Sequence, residues 1–115
     1  MRAIYVGVGD SIPYIPSSDV PAGEVVSFAG DRVYGVTRSP ILAGQLGSLA
    51  TEGVFDLVKG NDAFVVGDEV FWDKTTKTAV KTSGANRFRI GLCYRDAAAG
   101  DARVRVKIGW YARVS

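Results

Sequence analysis

Val65-Val66-Gly67-Asp68-Glu69-Val70-Phe71-Trp72-Asp73 is the stretch on which the fold reading turns. Gly67-Asp68 is a turn signal, after which Val70 and Trp72 share one side of an extended run and Glu69, Phe71 and Asp73 the other. The pattern is that of a strand whose indole anchors a core. Asp73-Lys74-Thr75-Thr76-Lys77 is rich in turn formers, and Thr78-Ala79-Val80-Lys81-Thr82 resumes a β-favouring run, which predicts a hairpin from Glu69 to Thr82.

Working outward, the C-terminal third carries the cleanest alternation. Arg87-Phe88-Arg89-Ile90-Gly91-Leu92-Cys93-Tyr94-Arg95 places Phe88, Ile90, Leu92 and Tyr94 on one side, and Arg103-Val104-Arg105-Val106-Lys107-Ile108 repeats the pattern after a turn. These two runs predict a terminal hairpin with Arg87, Arg89 and Arg95 on one strand and Arg103, Arg105 and Lys107 on the other. All six charges then lie opposite the apolar sides. Like charges on adjacent strands repel, so either Glu69 and Asp73 of the Trp72 hairpin or an acidic partner offset them, or the face is simply solvated and screened by salt.

Toward the N-terminus, Glu24-Val25-Val26-Ser27-Phe28 and Arg32-Val33-Tyr34-Gly35-Val36-Thr37 predict a second hairpin with Gly30-Asp31 at its tip. The segment from Ser48 to Val58 reads as one longer strand region bending at Gly53, and Ile41 to Gly47 as a connection, because its two glycines disfavour a helix. Ala3-Ile4-Tyr5-Val6 is a candidate short strand. Gly7, Gly9, Pro13 and Pro16 punctuate the chain immediately beyond it, so residues 1–19 read as an irregular arm with one or two short paired segments. The expectation is an all-β fold, a compact antiparallel β-sandwich or small β-barrel (a jelly-roll arrangement included), with the arm at 1–19 and a single domain at 20–115.

Composition bounds the function. A chain of 115 residues, 47% hydrophobic, is sized for one core. Its net charge of +2 is too mild to mark a nucleic-acid binder. The absence of histidine removes Ser-His and Cys-His catalysis. One cysteine, Cys93, forms no intrachain disulfide, and no apolar run reaches the roughly 20 residues that span a bilayer. The expected protein is soluble and made inside the cell.

Each chemical motif has a plainer reading beside it. Gly7-Val8-Gly9 lacks the third glycine of a dinucleotide fingerprint, since Ile12 stands there and Pro13 comes next; no phosphate-binding Gly-x-x-x-x-Gly-Lys-Ser/Thr run exists. Glu52, Asp56, Asp68, Glu69 and Asp73 suggest a carboxylate pair or a hard-cation site, but turn-forming and solvated roles account for them. Arg89 and Arg95 are placed to activate Cys93, yet a small packed thiol is the simpler reading. Aromatics among basic residues, as at Phe88 and Trp110, suggest a single-strand nucleic-acid platform, but alternation sends the rings to the core and the charges to the surface. The expected core anchors are Val70, Trp72, Phe88, Ile90, Leu92, Val104, Val106 and Ile108. No enzyme activity, metal or cofactor is expected.

Glu52-Gly53-Val54-Phe55-Asp56-Leu57, then Val66 to Asp73, then Ile90-Gly91-Leu92 before the final Arg-Val-Arg-Val strand, carry a family resemblance. The chain resembles a phage-associated family of small head proteins, sometimes labelled RecA/RadA-like recombinases, with capsid cement and decoration proteins among its relatives. The resemblance runs from about Val20 to Ile108, and relatives begin near the Pro21-Ala22-Gly23 turn. Its motifs are glycine, valine and tryptophan at structural positions, so no catalytic residue carries over. A recombinase needs the phosphate cradle that is missing here.

The resemblance implies a decoration protein that binds the outer surface of a phage head and stabilises the shell through non-covalent contacts. Its partner would be the major capsid protein, with two or three copies of this chain associating on the shell. It would be made in the bacterial cytoplasm and end in the virion. Neither nucleic acid nor membrane is expected as a partner; the alternative is a small β-barrel that binds nucleic acid. The candidate interaction surface joins Arg87, Arg89, Arg95, Arg103, Arg105 and Lys107 to the arm residues Tyr5, Ile12, Tyr14 and Ile15.

Overall fold

The structure, a computed structural model, describes residues 2–4 and 10–109. Tyr5 and Val6 of the candidate first strand, Gly7-Val8-Gly9 and Trp110 lie outside these. The described residues contain strands and turns and no helix, and every pairing between named strands is antiparallel, as the all-β reading requires. The chain divides into two compact units between Glu52 and Gly53.

The first unit is a four-stranded sheet in the order β1-β4-β3-β2, built from β1 (Ser11–Tyr14), β2 (Val25–Phe28), β3 (Val33–Thr37) and β4 (Gly47–Ala50). The β2–β3 hairpin turns where the sequence places it, with Ala29, Gly30 and Asp31 all at positive φ. Thr37 is fully buried at the other end, where its hydroxyl donates to the Pro21 carbonyl and accepts from the Glu24 N–H. In a flat sheet the outer strands would lie about 14 Å apart, three spacings of ~4.8 Å. Tyr14 on β1 and Phe28 on β2 nevertheless stack with ring centroids 5.7 Å apart. The sheet is therefore curled until its outer strands approach each other.

Two expectations change here. Within the segment read as an irregular arm, Ser11–Tyr14 forms an ordered edge strand: it pairs with β4 in the register Ser11↔Ala50 to Tyr14↔Gly47, Pro13 being tolerated because the strand lies at an edge. It is one of the short paired segments foreseen in that region. Residues 48–58 do not form one bent strand. Gly53, at φ 134, breaks the run, and β4 and β5 (Gly53–Val58) belong to different sheets.

The second unit is a five-stranded sheet in the order β5-β9-β8-β6-β7, completed by β6 (Glu69–Asp73), β7 (Thr78–Val80), β8 (Arg87–Arg95) and β9 (Arg103–Ile108). Its two outer strands touch, and a parallel bridge between Lys59 and Ala79 joins the end of β5 to β7. The sheet thereby closes on itself into a small barrel, which removes most of its free edge. Both predicted hairpins, β6–β7 and β8–β9, form. Val70, Ile90, Val106 and Ile108 are completely buried, Val104, Phe88 and Trp72 nearly so, and Leu57 and Phe64 join them.

The apolar alternation along β8 fails past Ile90. Leu92 is only half-buried and Tyr94 is 57% exposed, whereas Cys93 is buried. The cause is a pair of register shifts. One opposes Val70↔Gly91 to Phe71↔Arg89, leaving Ile90 as an extra residue, and the other lies between Cys93 and Arg95. A bulge reverses which side the following residues face. Gly91 sits at the first shift, where an added Cβ would overlap the Lys107 carbonyl oxygen; the strands approach that closely only because there is no side chain.

Candidate interaction surface

The basic residues of the terminal hairpin do share the side of the five-stranded sheet opposite its core, but carboxylates meet half of them. Arg87 Nε donates to Asp73 Oδ2 at 2.9 Å, directly across β6–β8, while its Nη1 reaches Thr82. Arg105 grips both oxygens of Asp56, its cross-strand neighbour on β5, at 3.0 and 3.3 Å. Arg89, with a side chain 10% exposed, stands 3.5 Å from Glu69, a spacing long for a hydrogen bond and characteristic of charge attraction. Glu69 and Asp73 thus play the offsetting part expected of them, and Asp56, read as solvated, is a third.

The electrostatics agree with the geometry. Hydrogen bonding from Arg105, with Arg103 and Arg95 nearby, holds the Asp56 carboxyl below its ordinary range, and Arg105 is raised in return. The Asp73 carboxyl is lowered first by the Thr76 N–H and then by Arg87, since Asp73 also caps the β6–β7 turn through Thr75 and Thr76. Burial pushes the Cys93 thiol up, and the thiol donates to the Arg95 carbonyl. Cys93 is a packed thiol, not an activated one.

Among the described residues of this unit, two arginines remain turned to solvent. Arg95 opposes Arg105 across β8–β9, and Arg103 reaches only the Asp56 carbonyl, at 3.4 Å. Both line a polar cleft of about 240 Å³ with Asp56, Asp96 and Asp101. These last two are engaged locally: Asp96 accepts from the Val66 N–H and Asp101 from the Ala98 N–H. Lys107 is exposed opposite Leu92. With three acids among three arginines, the cleft is a balanced surface.

The four-stranded unit has the opposite character. Pro13, Tyr14, Ile15, Phe28 and Leu46 line an apolar groove of about 530 Å³. Ile15 is 60% exposed, Leu46 70% and Phe28 38%, so each still forgoes a fraction of the roughly 1.5–3 kcal/mol that complete burial of such a side chain contributes. Ile12, half-buried opposite Leu49, and Tyr14, half-buried opposite Gly47, continue the apolar surface along β1. Leu46 also borders a second hollow with Pro40, Ile41 and Leu42. Of the arm residues named from sequence, Tyr14 and Ile15 line this groove, Ile12 lies on the same strand outside it, and Tyr5 lies outside the described residues.

Sequence reading missed Phe28 and Leu46, which reach the groove from β2 and from the loop before β4. It also missed Lys59, which is 6% exposed and whose ammonium donates to the carbonyls of Gly60, Asp62 and Ala99 at 3.0, 2.8 and 3.1 Å. The only signal for Lys59 was a lysine closing an apolar strand, a pattern shared with countless solvated lysines.

No curated protein and no solved structure matches this chain. A family model does, over residues 6–108, so the match includes the β1 segment that the sequence reading set apart as an arm. A paired all-β scaffold with an exposed apolar groove suits a protein that acts by covering another surface, and by that match the chain belongs to the phage cement protein family, whose members are associated with the phage capsid.

Proposed function

We propose that this protein binds the outer surface of the phage head shell through the apolar groove of its four-stranded unit, with the major capsid protein as its partner. The observation that carries this reading is the cluster of Tyr14, Ile15, Phe28 and Leu46, a contiguous apolar surface left facing water. Exposed patches of this kind, rimmed by polar residues, mark interaction sites. The contact is non-covalent and involves no catalysis; the work is done by area buried at each copy, multiplied over many copies on one lattice. Association of this chain into dimers or trimers on the shell would add to that multiplicity. The nucleic-acid alternative is weakened by the internal pairing of Arg87, Arg89 and Arg105, which leaves less basic surface to neutralise phosphates.

Co-sedimentation with empty heads lacking this protein tests the reading. Ile15→Ser combined with Leu46→Ser is expected to fold normally and lose most shell occupancy. Wild-type occupancy by the folded double variant would refute docking through the groove, and failure of the wild-type chain to sediment with shells would refute the shell-surface reading itself.

A further inference from the structure

Beside the groove runs a strand edge with unused hydrogen-bonding capacity. In β2, the Glu24 carbonyl accepts from the Thr37 N–H, and the Val26↔Gly35 and Phe28↔Val33 pairs continue the ladder two residues at a time. Antiparallel alternation therefore turns the N–H and C=O groups of Val25 and Ser27 away from β3, to the side where, among the described residues, no strand lies. Neither residue makes a backbone hydrogen bond to any other described segment.

The remaining outer strands are blunted in ways that β2 is not. β1 carries Pro13, which has no N–H to offer. β7 has three residues and is met by Lys59, and β5 is joined at the same bridge and carries Asp56 at its middle. Charge, proline, shortness and closure are the usual protections of an exposed edge. Val25–Phe28 has neither charge nor proline and is regular in register along its four residues, and β1 meets it at the Phe28 end through the Tyr14 ring. Phe28 ends the strand at the groove, stacked on Tyr14, so a segment laid along β2 would bring one of its own side chains beside Phe28 and toward that apolar hollow.

We propose that the β2 edge receives an extended segment of the capsid shell protein as an added strand, with backbone bonds to Val25 and Ser27 and an apolar side chain in the groove beside Phe28. Backbone pairing would supply orientation and the groove selectivity, the division found wherever a peptide extends a sheet. The inference rests on the shell-docking reading above, and adds the form of the partner: an extended, uncharged stretch rather than a preformed flat surface.

Ser27 permits a test that separates the edge from the groove. Its N–H points outward, so Ser27→Pro removes an outward donor and fills the pairing lane without touching the β2–β3 ladder. Both Ser27→Pro and Ser27→Ala lose the hydroxyl bond to Asp31; only the first loses the N–H. With empty heads lacking this protein, Ser27→Ala is expected to bind as wild type and Ser27→Pro to bind at least about tenfold more weakly while remaining folded. In parallel, amide exchange of the wild-type chain on shells is expected to slow at Val25 and Ser27 by about tenfold or more relative to the free protein.

Equal binding of the two folded variants would overturn the added strand and leave groove docking to the Ile15 and Leu46 variants. Unchanged exchange at Val25 and Ser27 on occupied shells would overturn it even if Ser27→Pro failed to fold. A dimer of the free protein that Ser27→Pro abolishes and Ser27→Ala preserves would assign the edge to a second copy, and so overturn the shell segment as its occupant.

Discussion

The five-stranded unit closes on itself and pairs its charges; the four-stranded unit ends in an open edge and keeps apolar side chains in water. In the first, β5 and β7 meet through the Lys59–Ala79 bridge, while Asp56, Glu69 and Asp73 take up Arg105, Arg89 and Arg87. In the second, β2 has a neighbouring strand on one side only among the described residues, and Ile15 and Leu46 lie more than half exposed. The contrast teaches that a conspicuous run of charge is not by itself a contact surface. Surface ion pairs largely satisfy one another and contribute about 0–1 kcal/mol each, whereas uncovered apolar area retains its full incentive to be covered.

The contrast is sharpest where truncation should be most costly. Trp72→Ala, inside the closed unit, is expected to destabilise the protein by about 3–5 kcal/mol in urea denaturation, because a buried indole leaves a cavity that a closed sheet cannot collapse to fill. Near-wild-type stability would mean that the barrel core does not depend on its indole. Lys59→Met should cost about 2–3 kcal/mol by the same measurement, since three carbonyls lose the one charged donor they share. A neutral result would show that water replaces the ammonium without penalty.

Acid provides a gentler probe of the paired charges. The folded-state carboxyls of Asp56 and Asp73 are lowered, so the stability they confer is present above their unfolded value of about 3.9 and is lost as pH falls through the folded one. Melting temperatures should accordingly decline below about pH 4. Asp56→Asn should show a shallower decline than wild type, by a small margin, given that both Asp56 and Arg105 are well exposed. Parallel declines would mean that this pair contributes nothing.

The smallest effect on stability is expected in the open unit. Ile15→Ser with Leu46→Ser should alter unfolding free energy by no more than about 0.5 kcal/mol. The same double variant is the one expected to lose most shell occupancy. A large loss of stability with intact occupancy would invert the comparison, making the groove part of the fold and sending the search for the contact back to Arg95 and Arg103.

Much of the fold was legible because its signals were local. Val70 and Trp72, the Gly30-Asp31 tip and the Arg-Val-Arg-Val run of β9 each declare strand or turn within a few residues, and all stand where the pattern put them. Leu92 and Tyr94 were misplaced because a bulge leaves no mark on composition; only the pairing of β8 with β6 and β9 reveals it. The joining of β4 and β5 into one strand failed for a related reason, since Gly53 signals a bend but not a change of sheet. The apolar site was half legible. Tyr14 and Ile15 are adjacent in the sequence, whereas Leu46 joins them through the β1–β4 register, one residue beyond Tyr14↔Gly47, and Phe28 through the curl of a sheet that brings its outer strands together.

Lys59 has a consequence for how the closed unit endures changing surroundings. Its ammonium ties residues 60 and 62 to residue 99, a crosslink made from one side chain and three peptide carbonyls. A disulfide in that place would come and go with redox potential, and a calcium clip with the divalent-ion content of the medium. A buried lysine on neutral carbonyls responds to neither. The fastening is the same in a reducing, ion-poor solution as in an oxidising, ion-rich one.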